Sequence, residues 1–133
     1  MSKQIINPPE LAPPRGFNHG ILVKRGRILF LAGQDASDNT GQIVAPGNVV
    51  AQYEQVLKNL QAVVAAAGGN MPDIVKLNIF VSNRDDYVSK LEEIGRIHKQ
   101  YFGDYYPAMA LFEVTGFFQK SALIELEGFA HIE

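Results

Sequence analysis

The stretch Ala122-Leu123-Ile124-Glu125-Leu126-Glu127-Gly128-Phe129-Ala130 decides how the chain is organised. A period of two places Ala122, Ile124, Leu126, Gly128 and Ala130 on one face of a strand, and Leu123, Glu125, Glu127 and Phe129 on the other. The first face is apolar or small throughout and must pack against something, most simply helices. The second mixes two carboxylates with Leu and Phe, which is too apolar for plain water and too polar for a dry core. A partner subunit covering that face, with a wet cleft left at its rim, reconciles the two. Upstream, Tyr105-Tyr106-Pro107-Ala108-Met109-Ala110-Leu111-Phe112-Glu113-Val114 reads as another strand, with Thr115-Gly116 and Gln119-Lys120-Ser121 as turn material between them.

Working outward to the N-terminus, Ile5-Ile6 allows only a short strand, because Pro8 and Pro9 remove ladder donors. The prolines at 8, 9, 13 and 14 with Gly16 make an extended arm. Phe17 to Val23 and Arg27 to Ala32 are apolar runs around Lys24-Arg25-Gly26, and are expected to form an antiparallel hairpin with Gly26 in its turn. A polar loop follows from Asp35 to Gly41. Apolar residues then recur by threes and fours from Val49 through Tyr53, Val56, Leu57, Leu60, Val63, Val64 and Ala67. That spacing predicts a helix capped by Asn48 and stopped at Gly68-Gly69. Ile74 to Val81 is a β-branched, apolar strand. Asn83 is expected to cap a second helix with the stripe Val88, Leu91, Ile94, Ile97 and Tyr101, ending at Gly103. The order β-β-β-α-β-α-β-β is an α+β layout, a mixed sheet with two helices on one face.

The 133 residues read as one domain, 1–133, long enough for a genuine core. A net charge of −2 offers nothing that steers the protein onto nucleic acid or an anionic membrane. Without cysteine there is no disulfide, thiolate metal site or Cys nucleophile. No apolar run approaches the roughly 20 residues of a membrane span, and residues 1–9 lack a signal-peptide core. The expectation is a soluble, cytoplasmic protein with neither membrane nor nucleic acid as partner.

Familiar catalytic patterns are missing. Gly68-Gly69 follows a helix, the wrong end for binding phosphate. His19, His98 and His131 are too scattered to suggest zinc, so no metal is expected. No Ser lies in a nucleophile-elbow setting. Glu125 and Glu127, two apart on one strand face, either share acid–base work and raise each other's pKa, or sit solvated and satisfied by backbone donors. For His19 and His98 the plainer roles are structural or packing ones. Lys24, Arg25, Arg27 and Lys120 form no dense run and read as solvated surface.

Several segments, in order, resemble the RidA (YjgF) family. They are Phe30-Leu31-Ala32-Gly33-Gln34, Gln55-Val56-Leu57-Lys58-Asn59-Leu60, Ala65-Ala66-Ala67-Gly68-Gly69, Ile74-Val75-Lys76-Leu77-Asn78-Ile79-Phe80-Val81, Tyr106-Pro107-Ala108 and Ile124-Glu125-Leu126-Glu127-Gly128. The resemblance covers nearly the whole chain. It implies a chorismate-mutase-like α+β fold, a homotrimer with small-molecule clefts between subunits, and, for typical members, cofactor-free hydrolysis of reactive enamines and imines to keto acids and ammonia. In the family an Arg after Pro-Ala pairs with the substrate carboxylate; here that position is Met109. The family's cleft Ser is Ala32, its cleft Tyr is Phe17, and the Asn of its second helix falls at Gly95. Gly33 and the carboxylate Glu125 remain. The resemblance therefore makes Glu125 the catalytic candidate. Phe17, His19, Ala32, Gly33 and Met109 are the ligand-binding candidates, in a pocket more apolar than the family's. Three functions follow for test: a deaminase of altered specificity, a non-catalytic small-molecule-binding or regulatory trimer, and ribonuclease-like activity. The absence of a basic, aromatic-interleaved groove counts against the last.

Overall fold

A computed structural model describes residues 2–133. The strands are β1 (Lys3–Ile6), β2 (Gly20–Val23), β3 (Arg27–Gln34), β4 (Ile74–Val81), β5 (Ala108–Glu113) and β6 (Ile124–Ile132). The helices are α1 (Val49–Ala66), α2 (Arg84–Val88) and α3 (Leu91–Phe102). A four-stranded mixed sheet runs in the order β3-β6-β4-β5, and β1-β2 form a separate two-stranded ribbon. β6 is antiparallel to both neighbours, whereas β4 and β5 are parallel. The chain between β4 and β5 is therefore a helical crossover, as a parallel pair requires.

The alternation in β6 holds. Ala122, Ile124, Leu126 and Ala130 are buried with α1 residues Tyr53, Val56, Leu57, Leu60 and Val64. At roughly 25 cal/mol per Å² of apolar surface, this one-sided layer carries most of the hydrophobic stabilisation. Asn48 caps α1 by accepting a hydrogen bond from the Ala51 N–H at 3.0 Å. Gly68, at φ +86°, breaks the helix as expected. One polar residue shares the buried stripe. The Gln52 Nε2 donates to the carbonyls of Ser121 (3.0 Å) and Ala45 (3.3 Å), and its Oε1 accepts from the Leu123 N–H at 2.8 Å. Gln52 thus ties α1 to the entry of β6, and nothing in the helical period marks it out from a surface residue.

Two expectations fail. The hairpin between Phe17–Val23 and Arg27–Ala32 does not form: β2 pairs with β1, Ile6 facing Gly20 and Lys3 facing Val23, while β3 pairs with β6. Gly26 takes the positive φ expected of it, +114°, and serves close approach as well. A Cβ there would lie 2.4 Å from His131 Nε2 and 2.7 Å from the Ile132 carbonyl. The turn is thereby pressed onto the end of β6, leaving β2 to its neighbour β1. The second helix is likewise broken, at Ser89-Lys90. The Ser89 hydroxyl donates to the Asp86 carbonyl at 2.8 Å, a local bond that competes with helix continuation. The break resets the phase: Tyr87, Ile94, His98 and Phe102 are buried, whereas Val88 and Leu91 of the expected stripe are exposed. No helix of the described residues is long and apolar enough to cross a membrane.

Candidate functional site

Glu125 lies on the face of the sheet turned away from the helices. It pairs with Phe80 across β4, while Leu77 and Met109, in register on β4 and β5, lie on the helix side. Beside Glu125 the β3–β6 register slips between Leu31 and Gln34, and Gly33 occupies the irregularity. A Cβ on Gly33 would stand 2.3 Å from Glu125 Oε2. Only the missing side chain lets the carboxylate rest against this backbone. Asp35, one turn further, is held by α1. Asn59 Nδ2 donates to the carbonyls of Asp35 (3.0 Å) and Ser37 (2.9 Å), and Gln55 Nε2 donates to Asn59 Oδ1 at 2.9 Å. The loop is thus built to place a second carboxylate close to the first.

The electrostatic consequence is a raised pKa for Glu125. Partial burial contributes most, followed by the charges of Asp35 and Glu127. Glu127 itself is exposed. Phe80, Val114, Phe117 and Phe118 complete a cleft of about 330 Å³ around Glu125 and Glu127. Phe118 is fully exposed at its rim. Ala32, next to Gly33, is exposed on the same edge. A carboxyl that titrates above its ordinary range, in a cleft with apolar walls, can both accept and return a proton.

Met109 and Phe17 lie elsewhere. They line a cleft of about 250 Å³ on the helix side with Gly16, Tyr87 and Leu91. A second lobe, also about 250 Å³, opens beyond Met109 between Tyr53, His98, Tyr106 and Gly95. Burial raises the Tyr53 hydroxyl pKa and pushes that of Tyr87 up to about 12. Burial also lowers the pKa of His98, against the opposing influence of its bond to the Tyr105 carbonyl. This lobe is therefore neutral on its inner walls. The His98 ring lies stacked between Phe102 and Tyr106, each 4.4 Å away, with Nε2 2.9 Å from the Tyr105 carbonyl. A carbonyl can only accept, so Nε2 carries the proton. His19 lines neither cleft. Its Nε2 donates to the Ala12 carbonyl at 2.8 Å, and its ring meets Phe17 edge-on at 5.1 Å. It braces the arm that presents Phe17.

Within one chain, then, the candidates fall into two groups on opposite faces of the sheet: Ala32, Gly33 and Glu125 on one, Phe17 and Met109 on the other. Asp35 and Arg15, which the sequence did not single out, complete the surroundings with Asn59, Tyr53 and the packed ring of His98. Among the described residues no group of three His, Asp or Glu is placed to hold a metal ion.

Comparison with known proteins supplies the remaining constraint. A family model described as Endoribonuclease L-PSP matches residues 9–132. A RutC family protein of Pyrococcus horikoshii is 37% identical over 84% of each chain. A 2-iminobutanoate/2-iminopropanoate deaminase of Dermatophagoides farinae is 31% identical over 98% of each. The crystal structure of the Rid-family protein YyfB of Yersinia pestis matches with a TM-score of 0.89 at 33% identity, covering 99% of this chain and 100% of that one. With the sheet order, the crossover and the Gly33–Glu125 corner in place, these matches make the chain a member of the RidA/YjgF family, whose members include imine deaminases.

Proposed function

We propose that this single-domain chain is a hydrolytic deaminase of enamine- or imine-type intermediates, of altered specificity, acting as a homotrimer with its clefts between protomers. The observation that carries the proposal is Glu125, half-buried against Gly33 with its pKa raised by burial and by Asp35 and Glu127. As a carboxylate it takes a proton from water while the water oxygen bonds to the imine carbon and the C=N electron pair moves to nitrogen. Return of that proton to nitrogen gives the carbinolamine; the carboxylate then takes the carbinolamine's hydroxyl proton and delivers it to nitrogen as the C–N bond breaks, leaving a keto group and ammonia. With an enamine, the protonated carboxyl first delivers its proton to carbon. The Gly33 N–H polarises the electrophile.

The same geometry supports assembly. Glu125 and Met109 face opposite ways in one protomer, so a ligand that touches both must be enclosed by two copies. The face carrying Glu125 also exposes Phe30 (74%), Phe129 and Phe112, apolar surface of the kind that marks an interface. Three copies rather than two is what the family resemblance implies. Ribonuclease chemistry is disfavoured, because Asp35, Glu125 and Glu127 together would repel a phosphate backbone.

Met109 offers no partner to a substrate carboxylate where the family resemblance places an Arg. The test is keto-acid release from imines generated in situ, with wild type, Glu125→Gln and Met109→Arg. Little turnover of 2-iminopropionate by wild type, a gain in Met109→Arg and loss in Glu125→Gln are expected. Robust wild-type turnover of that substrate would remove the altered specificity. Activity unchanged in Glu125→Gln would remove the mechanism, and no activity in any of the three proteins would favour a small-molecule binder.

A further inference from the structure

The lobe beyond Met109 has one charged residue in its wall among the described residues, Arg15. Arg15 lies exposed on the N-terminal arm, next to Gly16, whose φ of +72° sets the bend there. No ion pair among the described residues involves it. The rest of the wall is aromatic or aliphatic: Tyr53, Tyr87, Tyr106, His98, Ile94 and Met109. The arm bearing Arg15 is fixed. Asn18 N–H donates to the Pro107 carbonyl at 3.0 Å, Asn18 Nδ2 to the Tyr106 carbonyl at 2.6 Å, and Asn7 Nδ2 to Asn18 Oδ1 at 2.8 Å. Three residues before that anchor, Arg15 stands in the wall of a largely apolar cavity without an ion-pair partner.

We propose that Arg15 reads the carboxylate of the ligand, whose aromatic or branched apolar body occupies the tyrosine-lined lobe beside Met109. This deepens the deaminase proposal and rests on it for the reaction, but not for the binding. Three considerations lead there. A guanidinium presents a planar fork that matches a carboxylate bidentately, and an unpaired one beside a largely apolar cavity gains most from such a partner. Walls with no carboxylate among them leave nothing to compete with the ligand for it. The volume of about 250 Å³ lies below the range of about 300–1,000 Å³ for drug-sized ligands. It suits one ring or a branched chain rather than a nucleotide. Met109 then has a positive role: its thioether packs on the ligand's ring edge. Carboxylate recognition has moved from the floor of the cleft to its mouth, which leaves the floor free for a larger side chain.

Phenylacetate is the probe, with phenylacetamide and acetate as comparators, in calorimetric titrations of the intact protein. Wild type is expected to bind phenylacetate at least tenfold more tightly than either comparator. Arg15→Gln should lose at least tenfold toward phenylacetate and nothing toward phenylacetamide, while Arg15→Lys falls between. Equal affinity for phenylacetate in wild type and Arg15→Gln, no preference for the acid over the amide, or no phenylacetate binding by wild type would each overturn the proposal. Keto-acid release read separately divides the two claims. Arg15-dependent binding without turnover of the phenylalanine-derived imine defeats the deaminase but leaves Arg15 its role. Turnover of that imine indifferent to Arg15→Gln does the reverse.

Discussion

Replacing Gly33 by Ala tests the contact on which the chemistry is proposed to depend. The new Cβ would meet Glu125 Oε2 at 2.3 Å, Cδ at 3.0 Å and Cγ at 3.3 Å. All three atoms belong to one flexible side chain, so the carboxylate rather than the backbone yields. To restore ordinary contact it must retreat by about 1 Å, and misplacing a reacting group by that much costs on the order of 100-fold in rate. Gly33 has no left-handed φ, so alanine adds no backbone strain. It removes freedom from the unfolded chain worth about 0.4–1 kcal/mol, which offsets the crowding. The expected phenotype is a fall of about 100-fold in kcat/KM with a melting temperature within a few degrees of wild type. Carboxyl-carbon NMR gives a readout independent of turnover: the displaced, better-solvated Glu125 should titrate closer to an ordinary glutamate. An alanine variant with near-wild-type kcat/KM and an unchanged Glu125 titration would refute the reasoning. Loss of folding would show that the backbone, not the carboxylate, absorbs the clash.

Gly128→Ala should behave oppositely, since its Cβ would fall on the Lys76 carbonyl of the neighbouring strand. A loss of about 3 kcal/mol or more is expected in urea unfolding, against little change for Gly116→Ala, which meets nothing within 4 Å. Gln52→Leu leaves the Leu123 N–H and the carbonyls of Ala45 and Ser121 without their partner, at about 1–3 kcal/mol for each group that finds no other. The same denaturation assay reads it. Because the folded-state pKa of Glu125 is raised above 4.5, its protonated form favours the fold and stability is lost as pH rises through its titration. Melting temperatures from pH 4 to 8 should therefore show Glu125→Gln gaining on wild type as pH increases, and a constant difference would count against the shift. His98, lowered below 6.5, has the other sign: its contribution is complete above that pH and is lost as pH falls below it. His98→Phe, which keeps a ring between Phe102 and Tyr106, should flatten this acid limb.

What the sequence disclosed and what it hid divide along physical lines. The alternation of β6 and the stripe of α1 were legible because burial on one face leaves a periodic trace. The partner of β2 was not, since the reason lies in Gly26 pressing on His131 and Ile132, about a hundred residues away. Nor was the helix break, where the Ser89 hydroxyl turns to the Asp86 carbonyl and leaves the hydrophobic spacing of Val88 and Leu91 intact but unused. Gln52 looked like any polar helical residue until Leu123 and Ser121 came to meet it. Arg15 stood in a proline-rich arm whose course depends on Asn18 bonding to the Tyr106 and Pro107 carbonyls. A search for charged residues beside the Tyr-Pro-Ala segment finds it only once that pairing is known.

Within one protomer the candidates divide between two faces, Gly33 and Glu125 on one and Met109, Phe17 and Gly95 on the other. Across β4 and β5, residues of the Met109 cleft share the helix-side layer with Tyr87 and Leu91. Glu125 takes its shifted pKa from burial, Asp35 and Glu127, all on the opposite face. Within one protomer, a substitution on one side therefore leaves the field on the other nearly unchanged, and additivity is the expectation for sites with no shared neighbour. Recognition can drift without disturbing proton transfer, provided that assembly brings the two faces to one ligand. Combining Met109→Arg with Gly33→Ala makes this measurable: the melting-temperature changes should add, whereas the effects on kcat/KM should couple. Coupling in stability would place the two residues in one network and undo the separation.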